Sequence, residues 1–406
     1  MKQRLVVIGN GMAGMRTVEE LLSAAPDKYI ITVFGAEPYG NYNRIMLSSV
    51  LCGEKTIEDI VINNRQWYID NGITLHAGEA KAVTRIDRKN KKVYAQDGTV
   101  AGYDRLLIAT GSKAVMPQVP GNDLDGVISF RDIFDVNKML SYSRSHKKAV
   151  VLGGGLLGLE AANGLVSRGM DVTVIHNHEI LLNRQLDRPA ATLLQTELEQ
   201  RGLKFKMAAK LKQLSGDETG HIISVSFADD SRLECDLFIT AIGVRPNMAL
   251  AQEAGIYCER GIVVNDTLQS YDPSIYAVGE CIQHRQDTFG LVAPLFEQAK
   301  VCANHLSAHG AAEYISLPTA TKLKVTGINL FSVGDFQGAG DCASICFTDP
   351  ALGIYKKLVI KTDKLIGAVL YGDTADGIWY QQLLEQEEDI AGIREALIFG
   401  KVFATS

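Results

Sequence analysis

Two sets of three glycines share one spacing, Gly9-Asn10-Gly11-Met12-Ala13-Gly14 and Gly153-Gly154-Gly155-Leu156-Leu157-Gly158. In a strand-to-helix turn the first glycine permits the tight bend, and the second lets the backbone come up against a pyrophosphate. The third lets the helix pack on the strand. The phosphate then lies at the helix N-terminus, where unpaired N–H groups and the dipole favour an anion. One such motif is a weak signal. Two, each in its own strand–turn–helix setting, predict two bound dinucleotides, an arrangement suited to passing electrons between them.

The elements that must position these glycines are read from the apolar pattern. Leu5-Val6-Val7-Ile8 precedes the first motif, and Met15, Val18, Leu21 and Leu22 come after it, predicting β 4–8, α 12–25 and β 29–34. Ala149-Val150-Val151-Leu152 precedes the second, followed by Leu159, Ala162, Leu165 and Val166 and by a strand at Asp171–Ile175. Two further strands end in small residues, Arg105 to Ile108 before Ala109-Thr110-Gly111 and Leu237 to Thr240 before Ala241-Ile242-Gly243. Such an ending suits a place where backbone runs close to a ligand. Ile275 to Val278 gives a short buried strand ending in Gly279-Glu280, and Leu291 to Ala299 reads as a loop entering a helix with Pro294 near its first turn. The prolines of Met116–Gly121 make a rigid connector. From about Lys322 alternating stretches (Leu323–Val325, Ser344–Phe347, Lys357–Ile360) predict a small antiparallel sheet, with helical spacing from Trp379 to Phe399 packed on it.

Polar residues beside the motifs are the next candidates. Glu37 comes after the strand Ile30–Phe34, 26 residues beyond Gly11. A carboxylate there accepts hydrogen bonds from both ribose hydroxyls of an adenosine, or is a solvated loop acid. The matching position of the second unit is His176, which leaves the choice between NADH and NADPH open. His176, His178 and Arg184 are candidates for a 2′-phosphate, or loop residues without a ligand. Glu160 is expected in the first helical turn, where it complements the dipole. Arg44 suits phosphates or is simply exposed. Tyr39, Tyr42, Trp67 and Tyr68 are expected to pack.

Composition narrows the class. A chain of 406 residues, 46% hydrophobic and 22% charged, predicts two or three globular domains, and a net charge of -6 argues against nucleic acid as a partner. No apolar run reaches membrane-spanning length, and a strand at the N-terminus leaves no room for a signal peptide, so a cytoplasmic protein with no membrane role is expected. Seven scattered cysteines include no C-x-x-C pair, which predicts unreactive thiols and no metal site. Cys342 and Cys346 are placed together in a strand.

Taken in order, the two glycine motifs, Ala109-Thr110-Gly111, Ala241-Ile242-Gly243 and Tyr276-Ala277-Val278-Gly279-Glu280 resemble FAD-dependent pyridine-nucleotide oxidoreductases of the glutathione-reductase-like fold, over about 320 of 406 residues. The resemblance implies an α/β fold with two Rossmann-like dinucleotide-binding domains, for FAD and NAD(P), and a small C-terminal α+β domain. Its expected bounds are 1–112 and 234–318 for FAD, 113–233 for NAD(P)H and 319–406 for the C-terminal interface domain. For FAD it implies Gly9, Gly11, Met12, Ala13, Gly14, Glu37, Arg44, Ser48, Ala109, Thr110, Gly111, Gly243, Gly279 and Glu280, the last on the ribityl hydroxyls. For NAD(P)H it implies Gly153, Gly155, Leu156, Leu157, Gly158, Glu160, His176 and Arg184. Glu160, Pro294 and Glu297 are the residues expected around the nicotinamide–flavin contact, where hydride transfer needs no protein acid or base.

Disulfide reductases of this superfamily carry a Cys-x4-Cys pair early in the chain, whereas the stretch Gly40–Gly53 holds only Cys52. Dithiol relay chemistry is therefore not expected. Tyr42-Asn43-Arg44, Leu47-Ser48, Arg184–Asp187, Gly290–Pro294, Thr321–Gly327 and Gly367–Asp373 are similar instead to the flavoprotein module of the NAD(P)H nitrite reductase large subunit and to the electron-transfer subunit of assimilatory nitrate reductase. This likeness implies an NAD(P)H:acceptor oxidoreductase that takes hydride onto FAD and hands electrons to a separate metalloprotein, a nitrate or nitrite reductase catalytic component. The chain ends at Ser406 without the cysteines of an iron–sulfur or sirohaem domain, so reduction of nitrite unaided is not expected. The rival readings are an NADH:rubredoxin or ferredoxin reductase and a non-enzymatic NAD(H)-responsive flavoprotein. A homodimer stays open.

Overall fold

The computed structural model describes residues 2–308, 310–316, 321–325, 327–338 and 340–404. The expected start of the C-terminal domain at residue 319, and Thr326, lie outside the described residues. The chain forms two compact units, Met1–Val50, Lys55–Val115 and Gly243–Leu317 in one, Leu51–Glu54, Met116–Ile242 and Pro318–Ser406 in the other.

The first unit is built on five strands in the order Ile275–Ala277, Arg105–Ile108, Gln3–Ile8, Tyr29–Gly35, Thr74–Ala77. All neighbours are parallel. The run Leu5-Val6-Val7-Ile8 is apolar without alternation because this strand is covered on both faces; Leu5 and Val7 are fully buried. Helix Met12–Ala24 turns Met15, Val18 and Leu21 inward and packs along helix Val292–Leu306. It stops at Ala25, which has left the helical region (φ -152°, ψ 68°) just before Pro26, as the clash of a proline ring with a preceding helical residue requires.

The second unit repeats the plan with strands Val127–Ser129, Leu237–Thr240, Lys148–Leu152, Asp171–Ile175 and Lys204–Lys206, again all parallel. Here the sequence-based boundary at residue 234 needs correction. Leu237–Thr240 pairs with Lys148–Leu152 and so belongs to this sheet, in the same relation that Arg105–Ile108 holds to Gln3–Ile8. The same unit carries a five-stranded antiparallel sheet, ordered Thr321–Val325, Ile328–Gly334, Lys364–Tyr371, Ile354–Lys361, Ala343–Asp349. Cys346 lies in the last of these and Cys342 just outside it, so the two do not share the strand.

The tail is not one helix to Phe399. Helix Gly377–Glu385 ends at an acidic run in which Glu387 takes a positive φ of 50°, and Ile390 then donates its N–H to Asp363. Short 3-10 turns at Ala391–Ile393 and Leu397–Phe399 complete the apolar cover. The helical spacing of the apolar residues is real, but the backbone between them is broken. Among the described residues no helix is long and apolar enough to cross a membrane.

Candidate dinucleotide sites

The two glycine motifs are built alike, atom by atom. Gly9 donates its N–H to Phe34 of the neighbouring strand at 2.8 Å, and Gly153 donates to Ile175 at 2.9 Å. Both have positive φ, +115° and +130°. A Cβ added at Gly9 would lie 2.1 Å from the Ala109 carbonyl oxygen, and one at Gly153 would lie 2.4 Å from that of Ala241. The third glycines are equally confined: a Cβ at Gly14 meets the Gly9 carbonyl oxygen at 2.8 Å, and one at Gly158 meets that of Gly153 at 2.0 Å. Protein packing alone accounts for these four.

It does not account for the middle pair. Gly11 and Gly155 have φ of -91° and -86°, open to any residue, and a Cβ on either meets nothing within 4 Å. Each is the residue before a helix, and neither helix has an acid in its first turn. The positive end of each dipole is thus left uncompensated, next to a space that a glycine keeps clear. This is the shape of a pyrophosphate cradle, found twice. Met12 and Leu156 open the two helices, with Ala13 buried against Gly279 and Leu157 more exposed.

Around the first cradle the polar residues are tied in place. The Glu37 carboxylate accepts the Tyr42 hydroxyl at 2.7 Å and pairs with Arg44, whose guanidinium stands 5.2 Å from the Tyr42 ring centre. Glu37 and Arg44 therefore form one half-buried group, and Arg44 steadies the acid. Ser48 lies nearby in sequence, its hydroxyl donating to the Ile45 carbonyl at 3.3 Å. Thr110 donates its hydroxyl to the Asn247 carbonyl at 2.6 Å, while Gly111 keeps a positive φ with open space before it, as does Gly243. Glu280 accepts the Ser112 hydroxyl at 2.8 Å. Pro294 sits in the first turn of helix Val292–Leu306, as its missing N–H allows. Glu297 is exposed and pairs with Lys300 at 2.8 Å.

Three first-unit residues were missed by sequence reasoning. Gln298, next to Glu297, is fully buried and accepts the Gly279 N–H at 2.9 Å, fixing the turn that carries Glu280. Asn10, inside the first motif, accepts the Tyr68 hydroxyl at 2.6 Å and donates to the Tyr39 carbonyl at 3.1 Å. Asn247 closes on Gly111, donating its N–H to that carbonyl at 2.9 Å. The one sequence signal was a glutamine at a core position of an apolar helix face, between Leu295 and Cys302.

Around the second cradle, Glu160 is the fifth residue of helix Leu156–Ser167, one turn deeper than expected, because the helix starts at Leu156 and not after Gly158. Its interaction with the helix dipole is correspondingly weak, since that effect falls off beyond the first turn. His176 is buried, and its Nδ1 accepts the Gly154 N–H at 3.1 Å. Burial, and then His178, push the imidazole below its ordinary value, so it is neutral near pH 7. A neutral ring already used as an acceptor brings no charge to a 2′-phosphate. His178 and Arg184 are exposed.

Cys52 accepts from the Asn163 amide at 3.8 Å, and burial together with Glu54 raises its thiol. All seven cysteines are free, and among the described residues no group of three or more His, Cys, Asp or Glu is placed to hold a metal ion.

With this geometry in place, comparisons with known proteins identify the architecture. Residues 3–305 match the family described as pyridine nucleotide-disulphide oxidoreductase, and 319–388 match the rubredoxin NAD+ reductase C-terminal domain. The NAD(P)H nitrite reductase of Bacillus subtilis (strain 168) is 46% identical over 96% of this chain and 48% of its own length. The assimilatory nitrate reductase electron transfer subunit of the same organism is 44% identical over 98% of this chain and 51% of its own. The chain thus spans about half the length of these relatives. Among solved structures, NADH:rubredoxin oxidoreductase from Clostridium acetobutylicum superposes with a TM-score of 0.79 at 28% identity, covering 97% of each chain.

Proposed function

This chain belongs to the pyridine nucleotide-disulphide oxidoreductase family, and from that premise we propose that it is an NAD(P)H-driven electron-transfer flavoprotein. The single observation that carries this reading is the pair of middle glycines, Gly11 and Gly155, which nothing in the protein requires. Two cradles call for two dinucleotides. FAD is assigned to the first unit, which carries Glu37, Thr110, Gly111, Gly279 and Glu280 together with Gly9–Gly14, and NAD(P)H to the second.

FAD, when bound, supplies the exchange between a two-electron donor and a one-electron acceptor. The protein's share is binding and orientation. The Tyr42 and Arg44 contacts hold the Glu37 carboxylate for the adenosine ribose. Ser112 holds Glu280, and Gln298 fixes the Gly279 turn, so Glu280 would offer a held acceptor to the flavin's polyol hydroxyls. Met12, Ala13, Arg44, Ser48, Ala109 and Gly243 complete the first binding set. Leu156, Leu157, Glu160, His176 and Arg184 complete the second, with Glu160 orienting the nicotinamide. Pro294 and Glu297 remain proposed for the nicotinamide–flavin contact.

The acceptor is proposed as a metal-bearing component of nitrate or nitrite reduction, since the two Bacillus subtilis relatives carry those names. A rubredoxin-type acceptor is the second reading, favoured by the match over 319–388 and by the C. acetobutylicum structure. The test is anaerobic mixing of the FAD-loaded protein with NADH and with NADPH, and then steady-state reduction of ferricyanide or viologen. Rapid bleaching of the flavin absorbance and turnover with the artificial acceptor are expected. Flavin that stays oxidised with both nucleotides, or fails to bind, overturns the reading. Adding purified nitrite reductase catalytic component or rubredoxin then decides between acceptors by which one becomes reduced.

A further inference from the structure

At the end of the first unit's sheet away from the glycine cradle, the amino ends of its parallel strands open into a cavity of about 970 Å³. The cradle lies at the carboxyl ends, a strand's length or about 17 Å away at the usual rise per residue. Lys2, Lys28, Arg105, Gln269, Tyr276 and His305 face this cavity, and the one carboxylate among the described residues that does so, Asp27, is paired with Lys2 at 2.9 Å. We propose that this cavity binds a phosphate-bearing small molecule through Lys28 and Arg105.

Lys28 and Arg105 carry charge that no carboxylate among the described residues pairs with. The acid adjacent to Arg105 in sequence, Asp104, turns away and is held by Arg4 at 3.0 Å. Arg105 gives N–H groups to the Asp104 carbonyl at 3.1 Å and to the Tyr276 hydroxyl, and Lys28 stands 5.8 Å from the Tyr29 ring centre, but neither forms an ion pair among the described residues. Both are half-buried in the same wall. Burial, and then the Arg105 charge, push the Lys28 ammonium below its ordinary value. Two like charges so placed repel, and a bound dianion removes the repulsion. A guanidinium beside an ammonium is the pairing that phosphate oxygens accept, one fork and one point charge.

The remaining polar groups are ordered around the same space. The Tyr276 hydroxyl accepts from Gln269 at 3.2 Å and is hydrogen-bonded to His305 Nδ1 at 2.9 Å, which holds the His305 ring at the edge of the same space. Tyr29 closes the floor by donating to the Leu306 carbonyl at 2.9 Å. The volume exceeds what inorganic phosphate needs and lies in the range of sites for small metabolites.

The test uses the full chain, titrated with inorganic phosphate by calorimetry and by thermal shift, with chloride exchanged to hold ionic strength constant. Saturable binding near one equivalent is expected. Arg105→Gln and Lys28→Gln should each weaken it at least about tenfold, as loss of a charge-assisted hydrogen bond does, whereas Lys28→Arg retains it. Gly11→Val and Gly155→Val, which block the two cradles, should each leave it unchanged, separating this site from the dinucleotide sites. Binding that survives both glutamine substitutions, or that disappears with either glycine substitution, overturns the proposal, as does absence of saturable binding to the unmodified chain. Glycerol 3-phosphate in place of phosphate separates the sources, since tighter binding of the ester marks a metabolite site and tighter binding of the free ion a phosphate site. Failure of both together overturns the proposal without touching the flavoprotein reading.

Discussion

At the scale of single residues, glycines with one spacing have two different reasons to be glycine, and substitution should separate them. Gly153 has a φ that side chains rarely adopt and a carbonyl 2.4 Å from where its Cβ would be. Gly153→Ala should therefore destabilise the second unit by about 2 kcal/mol or more, read as a lower denaturant midpoint without any ligand. Gly155→Ala meets no atom. It should leave the ligand-free midpoint within about 0.5 kcal/mol of the parent while weakening NAD(P)H binding at least about tenfold. Equal loss of stability in both variants would refute the cradle. His176 makes the second residue-scale prediction. Its folded-state value is depressed below the ordinary 6.5, so the unfolded chain takes the proton more readily. The stability it contributes is complete above pH 6.5 and is lost as pH falls from there toward the folded value. Denaturation midpoints across that window should fall with acid, and His176→Asn, which keeps an acceptor near Gly154 and does not titrate, should flatten the fall.

At the scale of elements, helix Arg188–Gln200 shows how one cap serves two structures. Asp187 is its N-cap, accepting the Ala190 N–H at 3.3 Å on one oxygen and the Tyr355 hydroxyl at 2.7 Å on the other. The donor comes from the C-terminal antiparallel sheet, and Tyr371 of that sheet donates to Glu197 of the same helix at 2.8 Å. Tyr355→Phe leaves a buried carboxylate short of a donor and should cost about 2 kcal/mol. Tyr371→Phe, against a partner carboxylate that is 38% exposed and also paired with Arg201, should cost less than about 1 kcal/mol. The two midpoints measured side by side check the ranking. None of this was legible in the sequence, since a tyrosine 168 residues from its carboxylate leaves no local trace. The strands and helices around each glycine motif were legible to within about a residue, because an apolar run, a glycine turn and a 3.6-residue repeat are local signals. The tail failed for a related reason. Leu383, Ile390, Ile393 and Leu397 keep helical spacing, yet their burial is met by separate turns around Glu387, and periodicity reports burial and not backbone continuity. Within the site, Asn247, which reaches a glycine turn through a long-range bond, left no local signal, and Gln298 left only a glutamine on an apolar helix face, while the glycines themselves were plain.

At the scale of the whole chain, each of two compact units carries a parallel five-stranded sheet with one cradle, so each cofactor should stabilise its own unit. A ligand present at 100 times its dissociation constant adds about 2.7 kcal/mol to the state that binds it. Amide exchange governed by opening of that unit should slow about a hundredfold on the same arithmetic. In the proposed assignment FAD slows exchange at Gly11, Thr110 to Ser112 and the Gly279 turn, whose N–H is held by Gln298. NAD+ added to a flavin-free sample slows exchange at Gly153 to Leu159 and at His176, where the fingerprint helix and the Gly154 bond converge. Hydrogen exchange resolved by peptide reads both patterns in one experiment. The glycine geometry permits the reverse assignment, because the cradles match to a few tenths of an ångström at Gly9 and Gly153. What differs around them is the acid after the second strand, Glu37 in one and the neutral His176 in the other, together with Glu280 beside Ser112 in the first unit. FAD protection falling on residues 153–176, or NAD+ protection of residues 9–14 as strong as that of 153–158, would overturn this assignment.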